Sequence, residues 1–157
     1  MPKTIAIKNS DEPAIVDDSD YEYVSRFRWA LHPKGYAQRT VAAGLKHRTV
    51  LMHREIMNTP KGLQTDHVNL NKLDNRKSNL RVCTSSENKQ NQRAYANNKS
   101  GYKGVSWNAN KKKWTAQIKA GGRVRNLGSF LALEDAARTY DLAASRYFGE
   151  YAQLNMT

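Results

Sequence analysis

The chain has 157 residues, with 26 lysines and arginines against 14 aspartates and glutamates, so its formal net charge is +12 at pH 7. This length predicts one or two small domains, and the positive charge predicts a polyanionic partner. A single cysteine and four histidines exclude an intramolecular disulfide framework and are too few for a Cys/His zinc site. Because no apolar run could span a membrane and the first residues are too polar for a signal peptide, we expect a soluble, cytoplasmic protein that binds no membrane.

The first fifty residues consist of short apolar or alternating runs separated by Asp, Pro and Gly, a pattern typical of short strands joined by turns. One turn of helix is expected at residues 20–25. The segment carries 8 basic and 6 acidic residues and is therefore nearly neutral. We predict a β-rich N-terminal segment over residues 1–50 that either supports the chain after it or adds contacts to the polyanion.

A carboxylate, a histidine and two amides stand out in the polar, asparagine-rich segment of residues 51–96. Asp66 and His67 are adjacent. Asn79 follows His67 by 12 residues, and Asn88 follows Asn79 by 9, in a predicted helix. An ordinary histidine pKa of about 6.5 suits a general base, while carboxylate and amide oxygens suit Mg²⁺ and leave room for water and a phosphate. The set predicts hydrolysis of a phosphodiester bond assisted by a divalent cation.

The runs HRE, DHVNLNKLDNRKSNLR and SSENKQN resemble the phage-type HNH homing endonucleases. The resemblance implies a ββα-metal core over residues 51–96 that binds one Mg²⁺ or Mn²⁺ through Asp66 and Asn88. It also implies that His67 is the general base and that Asn79 holds the region around His67 by hydrogen bonding.

Several other residues of this segment leave alternatives open. Asn91 is the rival of Asn88 as a metal ligand. Arg76 lies in a predicted turn of Asp74, Asn75 and Arg76 and is expected to reach a phosphate. His53 is either an ordinary packed or capping histidine or a residue that borders the site.

The C-terminal part begins after a predicted linker, NNKSG at residues 97–101. Three alternating runs, YKGVSW, KWTAQIKA and RVRNLGSF, are separated by turn-forming NANKK and AGGR and predict a three-stranded antiparallel sheet. Alanines and tyrosines from Ala136 to Tyr147 then repeat at helical spacing, which predicts one amphipathic helix packed on the sheet. The whole chain is therefore predicted to be of the α+β class.

Positive charge is concentrated in and before this part of the chain. Between Glu87 and Glu134 there are ten lysines and arginines and no acidic residue, and aromatic side chains lie among them. This combination favours a surface that neutralises phosphates and stacks on nucleotides. We expect the sheet face away from the helix to be uncovered, with Trp114 and Lys119 projecting from it.

The runs SGYKGVSW, KWTAQIK, LGSF and EDAARTYDLAASRYFGEYAQLN are similar to the APETALA-two/ethylene-response-factor DNA-binding domain. The resemblance implies that residues 102–157 place a sheet in the major groove of double-stranded DNA. It implies DNA contacts by five residues, Lys103, Trp107, Trp114, Gln117 and Lys119. Asn126 stands where the family has tryptophan, so either Arg123 or Arg125 is expected to face the DNA. Trp107 and Trp114 have an alternative role in core or edge packing.

Two functions are compatible with these patterns. The first is a metal-dependent endonuclease of the homing type that hydrolyses double-stranded DNA. The alternative is a non-catalytic, sequence-specific DNA-binding regulator with a relic nuclease motif. RNA is a less suitable partner because a rigid sheet fits a B-form major groove better than the deep, narrow A-form groove. We expect a monomer or weak dimer with no obligatory protein partner, acting in a bacterial host cell if the protein is phage-encoded.

Overall fold

The computed structural model describes residues 1–156, which form two compact units divided after Asn88. The division differs from the predicted one. Residues 1–50 and most of residues 51–96 belong to the same unit, and the predicted linker at residues 97–101 lies inside the second unit. Within the described part of the chain, no helix is long and apolar enough to cross a lipid bilayer.

The first unit combines short strands and short helices. Its elements are β1 (Lys3–Ile5), β2 (Ile7–Lys8), β3 (Ala14–Val16), α1 (Asp18–Val24), β4 (Trp29–Leu31), β5 (Ala37–Ala43), β6 (Lys46–Leu51), α2 (Met52–Ile56), β7 (Gln64–His67), a 3₁₀ helix (Lys77–Asn79) and β8 (Leu80–Cys83). The helix α3 (Ser85–Gln90) begins in this unit, and its last two residues belong to the second unit. β1 pairs with β3, β7 pairs with β8, and a four-stranded sheet has the order β2-β4-β5-β6. The predicted α+β class is confirmed.

The core of the first unit is built by the N-terminal segment and by α2. Val16, Val24, Trp29 and Met52 are almost completely buried, and the Trp29 indole N–H donates to the carbonyl of Val24 at 2.8 Å. The N-terminal helix is longer than the single predicted turn, and Asp18 and Asp20 in its first turn favour it electrostatically. The sequence did not predict α2, whose five residues are too few to show a helical period.

The N-terminal segment also supports the loop that joins β7 to β8. Ile15 of β3 forms a parallel bridge with Asp74. The Ile15 amide donates to the Leu73 carbonyl at 2.8 Å, and the Asn75 amide donates to the Ile15 carbonyl at 2.7 Å. These two bonds anchor the loop to the β-rich core, and they explain why the predicted boundary at residue 50 falls inside one unit.

The second unit contains three strands and one long helix, as predicted. β9 (Val105–Asn108), β10 (Lys113–Ala120) and β11 (Arg123–Phe130) form an antiparallel sheet with β10 in the centre, followed by α4 (Leu133–Phe148) and a 3₁₀ helix (Gly149–Tyr151). Buried alanines of α4 pack with Tyr140 against Val105, Ala116 and Ile118. The small alanines allow the helix to lie close to the sheet.

Candidate active site

The β7–β8 hairpin places Asp66 and His67 side by side at the end of β7. Both residues are buried, with 5% and 4% of their surface exposed. Because successive side chains of a strand point to opposite faces, the two groups lie in different surroundings. Asp66 is paired across the hairpin with Arg81, whose Nε and Nη2 donate to Asp66 Oδ2 at 2.9 and 2.7 Å.

Helix α3 places Asn88 against the Asp66 side of β7. The Asn88 Nδ2 group donates to Gln64 Oε1 at 2.6 Å, and Gln64 shares a strand face with Asp66, two residues further along. Thr84 and Glu87 form a capping box at the helix start, since the Thr84 amide donates to Glu87 Oε2 at 2.7 Å and the Glu87 amide to Thr84 Oγ1 at 3.3 Å.

This arrangement supports Asn88 as the partner of Asp66. The Asn88 side chain contacts Gln64, which lies on the same strand face as Asp66. Asn91, the rival ligand, is buried after the end of α3 and is part of the second unit.

On the other side of β7, His67 lies in a cluster of rings. Its ring centroid is 5.0 Å from that of His53, in an edge-to-face arrangement, and 5.8 Å from that of Tyr36. Its Nε2 atom is 3.2 Å from Asn75 Oδ1. Burial lowers the pKa of His67 below 6.5, against the opposing effects of Asn75 and of the nearby carboxylates. The imidazole is therefore neutral near pH 7 and can accept a proton.

His53 is both packed and adjacent to the site. Its ring centroid is 4.9 Å from that of Tyr36, and it is 4% exposed. Burial lowers its pKa to about 3, with smaller contributions from His67 and Arg54. Among the described residues, no group hydrogen-bonds to its Nδ1 atom. His53 is thus a neutral, buried residue that packs beside His67 in this ring cluster.

Asn79 braces the loop between β7 and β8. Its Oδ1 atom accepts the Asn69 amide at 2.9 Å, and its Nδ2 group donates to the Asp74 carbonyl at 2.8 Å. Asn79 is therefore bonded to two separate points of the loop. This contact pattern supports the predicted role of Asn79 in holding the surroundings of His67.

Arg76 is engaged with a neighbouring carboxylate. Its Nε and Nη2 atoms donate to Asp74 Oδ1 and Oδ2 at 2.8 and 2.7 Å. This guanidinium lowers the pKa of Asp74 below its usual value. The Arg76 side chain is 37% exposed. A contact from Arg76 to a phosphate would use the exposed part of its side chain, while Nε and Nη2 remain bonded to Asp74.

The hairpin and α3 offer oxygen donors that fit Mg²⁺ or Mn²⁺. One carboxylate, Asp66, and one amide, Asn88, form a hard and sparse donor set, the kind that leaves several positions of an octahedron to water and phosphate. No group of three or more His, Cys, Asp or Glu residues suited to a metal occurs within residues 1–156.

The open face of the C-terminal sheet differs from the prediction. Directly paired residues of neighbouring strands share a face. Trp114 pairs with Trp107, and Ala116 on the same strand face packs against α4. Trp114 itself contacts this core, and its ring centroid is 5.1 Å from that of Trp107. The predicted outward position of Trp114 is wrong, because residues 114 and 119 are an odd number apart in one strand.

The two arginines of β11 are also on the helix side. Arg123 pairs with Ala120, and Arg125 pairs with Ile118, both on the face that packs on α4. The Arg125 guanidinium lies 5.4 Å from the ring centroid of Tyr147 on α4. Neither Arg123 nor Arg125 takes the place that the sequence assigned to one of them.

The face opposite α4 carries polar side chains. Gln117 pairs with Asn126 and Lys119 pairs with Val124, and all four are exposed. A register shift between Ala116 and Gln117 sets this alignment. Gln117 and Lys119 are thus located where the sequence placed them, and Asn126 joins them.

Lys103 is not a free cation. Its Nζ atom donates to the Gln90 carbonyl at 2.6 Å, and its backbone amide donates to Asn155 Oδ1 at 2.6 Å. Burial lowers the pKa of Lys103 to about 8. The DNA contact expected from Lys103 is therefore not supported, because its ammonium group is bonded to backbone carbonyls.

Three residues of the candidate site were not predicted from the sequence. Asn75 hydrogen-bonds to His67, Tyr36 lies beside the His67 ring, and Arg81 neutralises Asp66. The sequence predicted Asn75 only as part of a turn. No sequence pattern pointed to Tyr36 or Arg81, because their contacts with the site arise from tertiary packing and strand pairing.

Comparison with known proteins identifies related nucleases. The profile of the HNH endonuclease family matches residues 45–90. An uncharacterized HNH endonuclease of Acanthamoeba polyphaga mimivirus, L560, is 31% identical over 146 residues, covering 90% of this chain and 74% of the relative. Protein 3.8 of Escherichia phage T7 is 36% identical over 81 residues, which are 52% of this chain and 67% of that protein. No solved structure matches the chain.

The matched segment contains the β7–β8 hairpin and α3, with Asp66, His67, Asn79 and Asn88. The chain belongs to the HNH endonuclease family, which indicates a nuclease.

Proposed function

We propose that this protein is a metal-dependent endonuclease of the homing type that hydrolyses double-stranded DNA. The observation that carries the proposal is that different functional groups lie on the two faces of β7. Asp66 and Asn88 present oxygen donors on one face, while a neutral, buried His67 is held on the other. The ββα-metal core consists of β7, β8 and α3.

In this mechanism His67 accepts the proton of a water molecule as the water oxygen attacks phosphorus. The bond from phosphorus to the 3′ oxygen breaks, and that oxygen takes a proton from solvent, leaving a 5′-phosphate and a 3′-hydroxyl. Asp66 and Asn88 would hold a Mg²⁺, whose positive charge would stabilise the negative charge that develops on the phosphate and the leaving oxygen. Asn79 keeps the loop around His67 in place during the reaction.

Supercoiled plasmid incubated with the protein in Mg²⁺ or in EDTA tests this function. We expect nicked or linear DNA with Mg²⁺ and intact plasmid with EDTA. Plasmid that is bound but uncut under both conditions would instead support the alternative, a DNA-binding regulator with a relic nuclease motif. A single site cuts one strand at a time, so nicked circles are expected first from a monomer.

Arg81→Met tests whether Asp66 is a metal ligand. The substitution removes the ion pair between Arg81 and the buried Asp66 carboxylate, at a cost of about 3 to 5 kcal/mol in stability. A divalent cation that binds the folded state should recover part of this loss. We expect Mg²⁺ to raise the melting temperature of Arg81→Met more than that of the wild type.

Arg76→Met is the matched control, because it removes another arginine–carboxylate pair, which lies outside the donor set. Its response to Mg²⁺ should equal that of the wild type. In the double variant Arg81→Met/Asp66→Asn the additional response should disappear. Equal Mg²⁺ responses in all variants would argue against Asp66 as a ligand.

We further propose that the C-terminal unit directs the nuclease to DNA through the open face of its sheet. A sheet can enter the major groove, and Gln117, Lys119 and Asn126 lie exposed on this face. The resemblance to the APETALA-two/ethylene-response-factor domain supports the same face. The phage relative supports action in the cytoplasm of a bacterial host cell. We propose that the protein acts as a monomer or weak dimer.

Lys119→Ala should weaken DNA binding and make it less dependent on salt. Each lost phosphate contact lowers the slope of log affinity against log salt concentration by about 0.9. Arg125→Ala removes the same charge from the helix side of the sheet and should leave the slope almost unchanged. Fluorescence anisotropy of labelled duplex DNA at several salt concentrations measures both. Equal slopes for the two variants would indicate that DNA binds to a different surface of the protein.

A further inference from the structure

Asn75 is the most deeply buried polar residue beside the candidate base. It is 0% exposed, and its side chain makes two hydrogen bonds of different kinds. Its Oδ1 atom lies 3.2 Å from His67 Nε2, and its Nδ2 group donates to the Leu73 carbonyl at 3.1 Å. The amide thus bridges the catalytic histidine and the backbone of the loop.

The bond to Leu73 determines which way round the Asn75 amide lies. A carbonyl oxygen can only accept, so the NH₂ group must face Leu73 and the amide oxygen must face His67. An amide oxygen can also only accept, so His67 Nε2 must carry a hydrogen. In a neutral imidazole the other nitrogen, Nδ1, then holds the lone pair.

We propose that Asn75 is a positioning residue that holds His67 in the Nε2–H form, so that Nδ1 is the atom that takes the proton from water. This inference rests on the proposed function, because it names the reacting atom of the same base. Without such a partner a neutral histidine exchanges between two forms, and only one of them presents its lone pair in a given direction.

The surroundings of Asn75 hold it rigidly enough for this role. Its backbone amide is bonded to Ile15 of β3, and the adjacent Asp74 is held by Arg76 and by Asn69. The His53 and Tyr36 rings limit movement of the His67 ring from other directions. The imidazole is therefore linked to the core of the N-terminal segment through the buried Asn75 amide.

Nuclear magnetic resonance of histidine labelled with ¹⁵N reports this hydrogen directly. In the metal-free wild type above pH 7, we expect His67 to show a protonated Nε2 and an unprotonated Nδ1, with the signal assigned by its loss in His67→Gln. Predominance of the Nδ1–H form would overturn the inference. This measurement needs no change at Asn75 and no cleavage activity.

Asn75→Leu keeps the shape of the side chain and removes both hydrogen bonds. We expect a mixture of the two imidazole forms and a decrease in kcat for cleavage of about 10- to 100-fold at unchanged KM. Asn75→Asp retains an acceptor and should retain the Nε2–H form. Asn69→Ala loosens the same loop without a bond to His67 and should leave the His67 spectrum as in the wild type.

These outcomes separate the two proposals. If Asn75→Leu fails to fold, the spectra of the wild type and of Asn75→Asp decide the inference. An active wild type whose His67 keeps its Nε2–H form in Asn75→Leu would overturn the role of Asn75 and leave the nuclease function intact. An inactive wild type with Mg²⁺ would overturn the nuclease function, and with it the inference.

Discussion

Replacement of His67 by alanine is expected to lower the rate of DNA cleavage by about 10²- to 10⁴-fold, the usual contribution of a general base. DNA binding should be largely retained, because His67 is buried beneath the loop and the proposed targeting surface is in the other unit. Single-turnover cleavage of plasmid with Mg²⁺, together with a binding assay in EDTA, measures the two effects separately.

The matched control is His47→Ala, which removes an exposed imidazole from β6 without touching the ring cluster. It should cleave at close to the wild-type rate. The pH dependence gives a second check. Burial lowers the pKa of His67, so the base stays neutral to a pH below 6.5, and cleavage should decline only on acidification beyond that point. Equal cleavage by wild type and His67→Ala would exclude His67 as the base.

Gly104→Ala is expected to be the most destabilising single change in the second unit, by roughly 4 kcal/mol or more. Gly104 has a φ of +74°, and a Cβ atom there would lie 2.2 Å from the Tyr140 ring and 2.6 Å from the Gln117 carbonyl oxygen. Tyr140 is buried against the sheet and the carbonyl belongs to β10, so neither can move away without disrupting the core. Amide hydrogen exchange in β10 measures the free energy of opening.

Gly121→Ala provides the comparison. Gly121 has a φ of +59°, but an added Cβ atom would meet no other atom within 4 Å, so only the backbone conformation is unfavourable. Its cost should be about 1 to 2 kcal/mol. The difference between the two variants isolates the close approach of Tyr140 to Gly104. Similar opening free energies in the two variants would show that contact with Tyr140 of α4 does not restrict the side chain at position 104.

Local patterns accounted for much of the second unit. Alternation and turn residues predicted three strands, and the alanine spacing predicted α4, because these periods are properties of neighbouring residues. They did not predict which strand face α4 covers. Trp114 was placed outward although it packs against the core. One of the two arginines of β11 was placed on the DNA side, although the pairing partners of both face the helix.

In the candidate site, too, local patterns predicted some features and tertiary contacts determined others. Sequence alone was enough to single out the adjacent Asp66 and His67 and to place Asn88 in a following helix, since adjacency and spacing are local. Strand pairing and packing were needed to show that Asn75 bonds to His67 and that Arg81 neutralises Asp66.

The fold also decides how much of the positive charge is available. The net charge of +12 attracts a polyanion wherever the charged residues lie. Arg81, Arg76 and Lys103 are nevertheless bonded to carboxylates or carbonyls, whereas Lys119 is exposed. Whether a cation can reach a phosphate depends on the partners that surround it, and for Arg81 and Lys103 folding alone brings those partners together.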